Sequence, residues 1–509
     1  MRLAFFLAGM LCFPSLPWAQ STFGEIRGSV IDKTGASVPD VQVEITRNGT
    51  GEVRRAKTDG SGAYALVNLD AGAYDIKAEK TGFRVSVVKA VPVRAREIAR
   101  VDLPLEVAAS VTEVNVVDAA QVIQLETPTI MDSKSANELN KLPVNYRAGS
   151  TNTFYSIIST APGVQPDSGG GYSVGGTMPF MATASVDGVS NINVRSNGVL
   201  TEMFPTADTV DEVRVSSTSN NAEFAQAGDI TVTSKSGSNA FHGTAYWYHQ
   251  NGAFDARDFF AARTPFKVSN DYGGTFSGPV WKNRTFFFGA FEGLKFRAQS
   301  VINNTVPPEN YRNGDFSAVT QALRDPLANN APFANSVIPA SRITASSRVL
   351  MQALFPLPTR ASNNIASPNY QLQQGQQNDN DQYDARIDHN FSASQRLFGR
   401  ISQKDISRNT PTQFPTTLGQ RVNSLNPLNL VVAHNWIAKS NLLNEFRFGW
   451  ARQESLFTFG LGGADVRWAG LDEAGGHRNP AGSARRIADS GHPGERHHGH
   501  RPGPRRRDA

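Results

Sequence analysis

The stretch FHGTAYWYHQNGAFDARDFF, residues 241–260, and the following DYGGTFSGPVWKNRTFFFGAFEGL, residues 271–294, alternate large with small and wet with dry in runs broken by short polar turns. One face of the first run carries Phe241, Gly243, Ala245 and Trp247. The run from Thr285 to Leu294 gathers aromatics at Phe286, Phe287, Phe288 and Phe291 and sets Glu292 near its end. Runs of about ten residues with a period of two and aromatics near their ends suit a membrane-crossing β-strand, which turns one face to lipid and the other to a polar lumen. Strands cross lipid only in a closed barrel, because no backbone group can be left unpaired there. An antiparallel sheet of a soluble protein alternates in the same way. The stretch therefore leaves two architectures open, an outer-membrane barrel and a soluble sheet.

The N-terminus favours the barrel. Met1-Arg2 is a short basic start, Leu3 to Phe13 is apolar, and Pro14 to Ala19 leads to a small residue before Gln20. This pattern predicts a secretory signal peptide over residues 1–19, too short to span a bilayer. Gly9-Met10-Leu11 lacks the small residue that a lipid-attachment site needs just before its cysteine, so Cys12 is not read as an anchor. Cleavage after Ala19 leaves a mature protein without cysteine. That excludes disulfides, thiolate chemistry and cysteine-bound zinc or iron–sulfur sites. No other apolar run approaches the roughly 18 residues of a membrane helix.

Charge has to be read in parts. The formal net charge is +5. Residues 475–509 hold eight Arg, no Lys and three acids, which is also +5, so the rest sums to zero. The basic character belongs to the tail and gives no support to a nucleic-acid partner. The tail has five of the nine His and no aromatic, so it cannot bury a core and reads as disordered. Its composition changes abruptly in mid-pattern, as an out-of-frame or damaged reading of a gene would.

Residues 20–107 read as a β-sandwich. Ile26, Gly28 and Val30 alternate with polar residues, as do Val41, Val43 and Ile45, then Tyr74, Ile76 and Ala78, then Val101, Leu103 and Leu105. Lys33-Thr34-Gly35, Asn48-Gly49, Asp59-Gly60-Ser61-Gly62 and Ala71-Gly72 separate the runs as turns. Short strands at about 8–12-residue spacing make a sandwich. Within TDGSGAYALVNLDAGAYDIKAEKTGF, the order Asp59, Gly62, Tyr64, Leu69, Gly72, Tyr74 and Gly82-Phe83 resembles the carboxypeptidase regulatory-like family. The resemblance implies an immunoglobulin-like, carbohydrate-binding-like fold and no catalytic site. The only His-x-x-Glu, His492 to Glu495, lies in the tail with Pro493 between, which does not suit a zinc peptidase.

Residues 108–237 resemble the plug domain of TonB-dependent outer-membrane receptors, an α+β unit. Val186-Asp187-Gly188-Val189 matches the family's DG hairpin, Asp211 to Val215 its late strand, and Ile230 to Gly237, after Asn221-Ala222-Glu223-Phe224, its exit strand. Ser135 to Leu142 reads as a short helix before Pro143. Val111 to Val117 is an alternating segment placed where a TonB box would lie; the candidate residues are Thr112, Glu113, Val114, Asn115, Val116 and Val117. A TonB box must be extended and able to add to TonB's sheet. The same segment equally fits a last sandwich strand or a first plug strand.

Residues 238–474 read as barrel. FHGTAYWYHQN, GPVWKNRTFFFGAFEG, RNGDFS, SVIPASRI and FPLPT follow in the order of Oar-like members of that receptor family. Tyr383, Ala385 and Ile387 are expected to face away from Asp384, Arg386 and Asp388; Leu397, Gly399 and Ile401 from Phe398, Arg400 and Ser402. Leu430 to Ile437 turns at Ala438 to Asn441 and returns with Phe446, Phe448 and Trp450 outward and Glu445 and Arg447 inward. Residues 295–380, rich in Asn, Pro and Gln, read as a long outer loop containing a helix between Ser341 and Phe355. About seven to nine strands are legible, against the 22 of a plugged transporter barrel. The barrel is thus expected to be partial, C-terminally truncated or frameshifted.

Chemistry is not visible elsewhere. His242, His249, His389 and His434 stand far apart, and the glycines at 169–171 and 175–176 lack the lysine and strand–helix context of a phosphate loop. The fold class expected is mainly β: an immunoglobulin-like β-sandwich, an α+β plug, a partial transmembrane antiparallel β-barrel and a disordered basic tail. The function implied by the resemblance is that of an outer-membrane receptor, not an enzyme. It would bind an extracellular ligand, carbohydrate or peptide, and import it with energy from TonB and its inner-membrane complex. Lipid is the other partner, with no cofactor and no metal. The alternative is an exported β-domain protein for binding or adhesion.

Overall fold

The computed structural model describes residues 22–107, 114–118, 129–141, 158–166, 171–193, 198–218, 226, 228–257, 264, 266–360, 367–410, 421–439 and 442–459. The signal-peptide, tail and Asn221–Phe224 expectations, with Thr112, Glu113 and Gly169-Gly170, lie outside them. The protein forms two compact units, residues 1–304 with 371–462, and residues 305–370 with 463–509.

The first unit begins with the sandwich. Its strands are β1 Gly24–Asp32, β2 Gln42–Arg47, β3 Val53–Lys57, β4 Ala63–Leu69, β5 Gly72–Glu79, β6 Val85–Val93, β7 Ile98–Arg100, β8 Leu103–Leu105 and β9 Val114–Asp118. One sheet has β4 antiparallel and β7 and β8 parallel to β1; the other runs β3-β2-β5-β6-β9. The period-two pattern explains the core, since Val43, Ile45, Tyr74, Ile76, Ala78, Leu103 and Leu105 are buried while Glu44 and Lys77 point out. The Tyr64 hydroxyl donates to Val101 O at 2.7 Å and that of Tyr74 to Asp70 O at 3.0 Å, so both rings are buried with their polar ends satisfied. At Gly28 a Cβ would stand 1.8 Å from Val101 O, so only glycine lets that segment pass.

The central domain contains β10 Ile130–Ser135, helix α1 Ala136–Lys141, β11 Val164–Pro166, β12 Tyr172–Val174, β13 Ala182–Val186, β14 Val189–Ser190, β15 Val210–Thr218 and β16 Gly228–Ser234. Its main sheet runs β10-β15-β16-β13-β14 over a core that includes Leu139, Val186, Phe204, Val213 and Val232. Asp187 and Gly188 both have positive φ, at 48° and 74°, which makes the DG pair a two-residue hairpin turn of the twist that strands favour.

A seven-stranded antiparallel sheet follows in chain order. It comprises β17 His242–Asn251, β18 Lys267–Trp281 and β19 Thr285–Asn304, then β22 Tyr370–Ser392, β23 Gln395–Thr410, β24 Arg421–Lys439 and β25 Leu442–Phe459. Among the described residues β17 and β25 have no neighbour on their outer sides, and the sheet is not closed. Facing follows the expectation: Tyr383 and Ile387 are 55% and 53% exposed, while Asp384 and Asp388 are 5% and 7%. Phe446, Phe448 and Trp450 are exposed, and Phe398, Arg400 and Ser402 are buried. Short turns at 282–284 and 393–394 mark one end.

Two expectations need correction. Residues 295–304 and 370–380 are not loop but the far ends of β19 and β22. Their polar sequence misled because a strand fixed by charge pairs with its neighbour needs no apolar face. Lys295–Asp381 at 2.8 Å and Arg297–Asp379 at 2.6 Å tie the two ends together. Ala438 and Lys439 likewise continue β24 rather than turn.

In the second unit the described part is residues 305–360 and 367–370. It holds helix α2 Glu309–Arg312, the small pair β20 Arg324–Asp325 and β21 Ala331–Pro332, and helix α3 Ala345–Leu354 capped by Thr344. Arg312 donates to the carbonyls of Pro307, Met351 and Phe355 at 2.9, 3.3 and 3.1 Å, cross-bracing this inserted segment.

Candidate functional site at the junction of sandwich, central domain and barrel wall

The DG turn carries the Asp187 carboxylate into the strand wall. Arg400 Nε on β23 meets Asp187 Oδ2 at 2.5 Å, and Arg386 on β22 stands 3.6 Å from Oδ1. Ser234, which ends β16, donates its N–H and hydroxyl to the same carboxylate at 2.9 and 2.8 Å. Arg386 also donates to Ser234 O at 2.9 Å, pairs with Asp388 and lies over the Phe398 ring at 4.4 Å. Arg400 reaches Asn429 Oδ1 at 2.7 Å. Higher on the wall, Thr209 donates to Asp384 at 3.3 Å and Arg408 meets Glu202 at 2.6 Å. Burial works against the Asp187 charge, but Arg400 and Arg386, with the Ser234 hydrogen bonds, more than offset it and hold the carboxyl below the ordinary range.

The sandwich adds a second ring of contacts at the short-turn end. Arg396, at the start of β23, grips Asp70 with two N–H groups at 2.5 and 2.7 Å and Glu52 at 3.2 Å. Arg47 meets the same Asp70 at 2.8 Å. Burial would raise the Asp70 pKa, yet Arg396 and Arg47 keep it lowered. Asn239 donates to Gly49 O and Thr50 O at 2.9 and 2.7 Å and exchanges hydrogen bonds with Asn283 in the 282–284 turn. On the central domain, Ala95 N donates to Glu212 Oε2 at 3.0 Å, Arg214 donates to Ala95 O at 2.7 Å, and Arg96 pairs with Asp229 at 3.2 Å. Burial pushes the Glu212 carboxyl above its usual range despite its hydrogen bonds from Ser133 and Ala95. Between these rings lies a cavity of about 30 Å³, lined in part by Arg47, Asp70, Asp187, Asp211, Ser234 and Arg386. It has room for one or two waters among charged groups.

The junction combines these exchangeable polar contacts with a small apolar cluster in which Val189 of the central domain packs with Phe398, Val431 and Ala433 of the wall. Among the described residues no group of three His, Cys, Asp or Glu side chains is placed to hold a metal ion. His249 faces Asn270, and His389 faces Thr285, well apart from each other.

Of the TonB-box candidates, Val114, Asn115, Val116 and Val117 form β9, in parallel register with Val85, Ser86, Val87 and Val88 of β6. They stand at the edge of the sandwich sheet, with one side of the backbone ladder occupied. Sequence reading did not find the arginine clamps. Alternation set Arg386 opposite Tyr383 and Arg400 opposite Leu397, but their partner Asp187 is about two hundred residues away in sequence, and no local pattern links them.

Residues 233–494 match the family model described as outer membrane beta barrel domain, and residues 25–106 match the carboxypeptidase regulatory-like domain. The protein is similar to the TonB-dependent transporter Oar of Myxococcus xanthus, with 27% identity over 299 residues, 56% of this chain and 28% of that protein. Among solved structures, the siderophore receptor PirA from Pseudomonas aeruginosa aligns at 12% identity and TM-score 0.37 over 64% of this chain and 41% of that one. The outer membrane transporter YddB from Escherichia coli aligns at 10% identity and TM-score 0.40 over 63% and 38%. The chain spans less than half the length of these relatives.

Proposed function

For a chain that belongs to the outer membrane beta barrel family and resides in the outer membrane, carrying a carboxypeptidase regulatory-like domain, we propose the role of an Oar-like TonB-dependent receptor. The central domain is its plug. A ligand binds at the long outer connections and the plug apex, and it passes inward when TonB draws on the segment around β9. The observation that carries this reading is the plug seat. A domain held in a wall largely by Asp187 between Arg386 and Arg400, with only a small apolar cluster around Val189 beside them, can leave and return, because water and counter-ions replace polar contacts at little net cost. β9 suits a pulled segment because a strand at a sheet edge can be taken up by another sheet.

The test uses the absence of cysteine from the mature protein. Single cysteines replace Val114, Asn115, Val116 and Val117 in turn, each shown to react with a maleimide, and are paired with a cysteine on the sheet edge of TonB. Disulfide trapping at alternate positions is expected from strand pairing with its period of two. Reactive cysteines that trap TonB at none of the four positions would overturn the reading.

A further inference from the structure

The sandwich does not hang from the plug by a linker alone; it grips the plug at its 94–97 turn and the barrel wall at Arg396, beside the hydrogen bonds of Asn239 to Gly49 and Thr50. The grip on the plug is the turn between β6 and β7, residues 94–97. Ala95 at its tip is 1% exposed, and both its backbone groups are bound by plug side chains, the N–H by Glu212 and the carbonyl by Arg214. Arg96, held at φ 60°, adds the ion pair with Asp229 of β16. Asp229 is itself fixed by the hydroxyls of Thr231 and Thr183 at 2.7 and 2.8 Å. The grip on the wall is Arg396, bidentate on Asp70 and also on Glu52, with only 8% of its side chain exposed. Bidentate guanidinium–carboxylate pairs are directional as well as strong, so this contact fixes orientation.

The seam between these grips is not packed. Cavities of about 470 and 570 Å³ run beside it, and Asp211 borders both. Polar contacts therefore hold the sandwich in place: its 94–97 turn on the plug, Arg396 on the wall, and Asn239 at Gly49 and Thr50. The same strand β6 that leads into the gripping turn also carries β9.

We propose that the sandwich is a latch on the plug: Arg396 holds it to the barrel wall, its 94–97 turn holds the plug strands β15 and β16, and the plug cannot shift until the Arg396 contact opens. The latch is a matter of how the domains hold one another, and it stands whether or not TonB is the partner of β9. Because coupling between two contacts is reciprocal, loosening the wall contact must loosen the plug although Arg396 makes no hydrogen bond to it.

The test is hydrogen exchange on the full-length protein in outer-membrane vesicles. Arg396→Gln removes the charge that holds Asp70 and Glu52. Amides of β15 and β16 should then exchange about tenfold faster, as expected when a charged, bidentate contact that restrains a local opening is lost. Arg396→Lys keeps the charge but loses the bidentate fork, so its exchange should fall between that of the parent and that of Arg396→Gln. Unchanged exchange in β15 and β16 of Arg396→Gln overturns the latch, with the sandwich then a freely tethered domain. Acceleration spread equally over β23 and β24 also overturns it, since the variant would then only have loosened the wall in which Arg396 sits.

Discussion

The sandwich and the plug seat are held together by opposite means. The sandwich buries a continuous apolar cluster that includes Ile26, Val43, Ile45, Tyr74, Ile76 and Leu103. The seat joins its parts through Asp187, Arg386, Arg400 and Ser234. An apolar core gains from leaving water and has no substitute partner outside, so it is built to stay closed. A buried ion pair recovers much of its energy from water when it parts, so its net worth is small although breaking one half of it is costly. The first design makes a domain, and the second makes a joint.

The comparison breaks first at the sandwich. Tyr74→Ala should destabilise it by about 3–5 kcal/mol, the range for removing a large buried aromatic. Loss of protection in β2 and β5, with β13 and β14 unaffected, is the expected result of exchange measurements. Asp187→Asn keeps the positive φ that its turn requires but leaves the buried Arg386 and Arg400 without their carboxylate, so the loosening should be comparable, about 3–5 kcal/mol, the range for breaking one half of a buried ion pair. It should appear in β13, β14 and β16 while the sandwich core stays as it was.

Acid sharpens the contrast within the polar contacts. The Asp187 pKa is lowered in the folded state, so its stabilisation is present above the unfolded value of about 3.9 and is lost as pH falls through the folded value. Glu212 is raised by burial, so its contribution has the opposite sign: it is fully present below the unfolded value of about 4.3 and is lost as pH rises through the folded one. As pH falls through the raised folded value of Glu212, the contact between the 94–97 turn and β15 should tighten while the Asp187 seat does not change. Below about pH 4 the seat should weaken. Exchange profiles of the two regions over that range check both signs. The smallest effect is expected for Val116→Pro in β9. It removes one backbone donor at a sheet edge, about 1 kcal/mol, and should lower β9 protection without unfolding the sandwich.

Some of this could be read before any fold was known. Tyr383 and Ile387 against Asp384 and Asp388 fell on opposite faces because side chains alternate along any strand, whatever it pairs with. Asp187-Gly188 could be read as a turn because few residues other than glycine, Asn and Asp accept positive φ there. The polar extensions of β19 and β22 could not, because their strand character comes from each other, through Lys295–Asp381 and Arg297–Asp379. Val114 to Val117 could be read as a strand but not assigned a neighbour, since an alternating run of five residues fits several edges.

By itself, then, the sequence determined the local terms: the period of two, the turns, the apolar faces of the sandwich and a single cysteine, at position 12. Those depend on residues within one strand or one turn. Only the tertiary structure decided which charges meet: Arg396 with Asp70, Arg400 with Asp187, Arg96 with Asp229. Each such pair joins positions more than a hundred residues apart, and a charge attracts any opposite charge that the fold brings near. Its partner is therefore a property of the assembled molecule and not of any stretch within it.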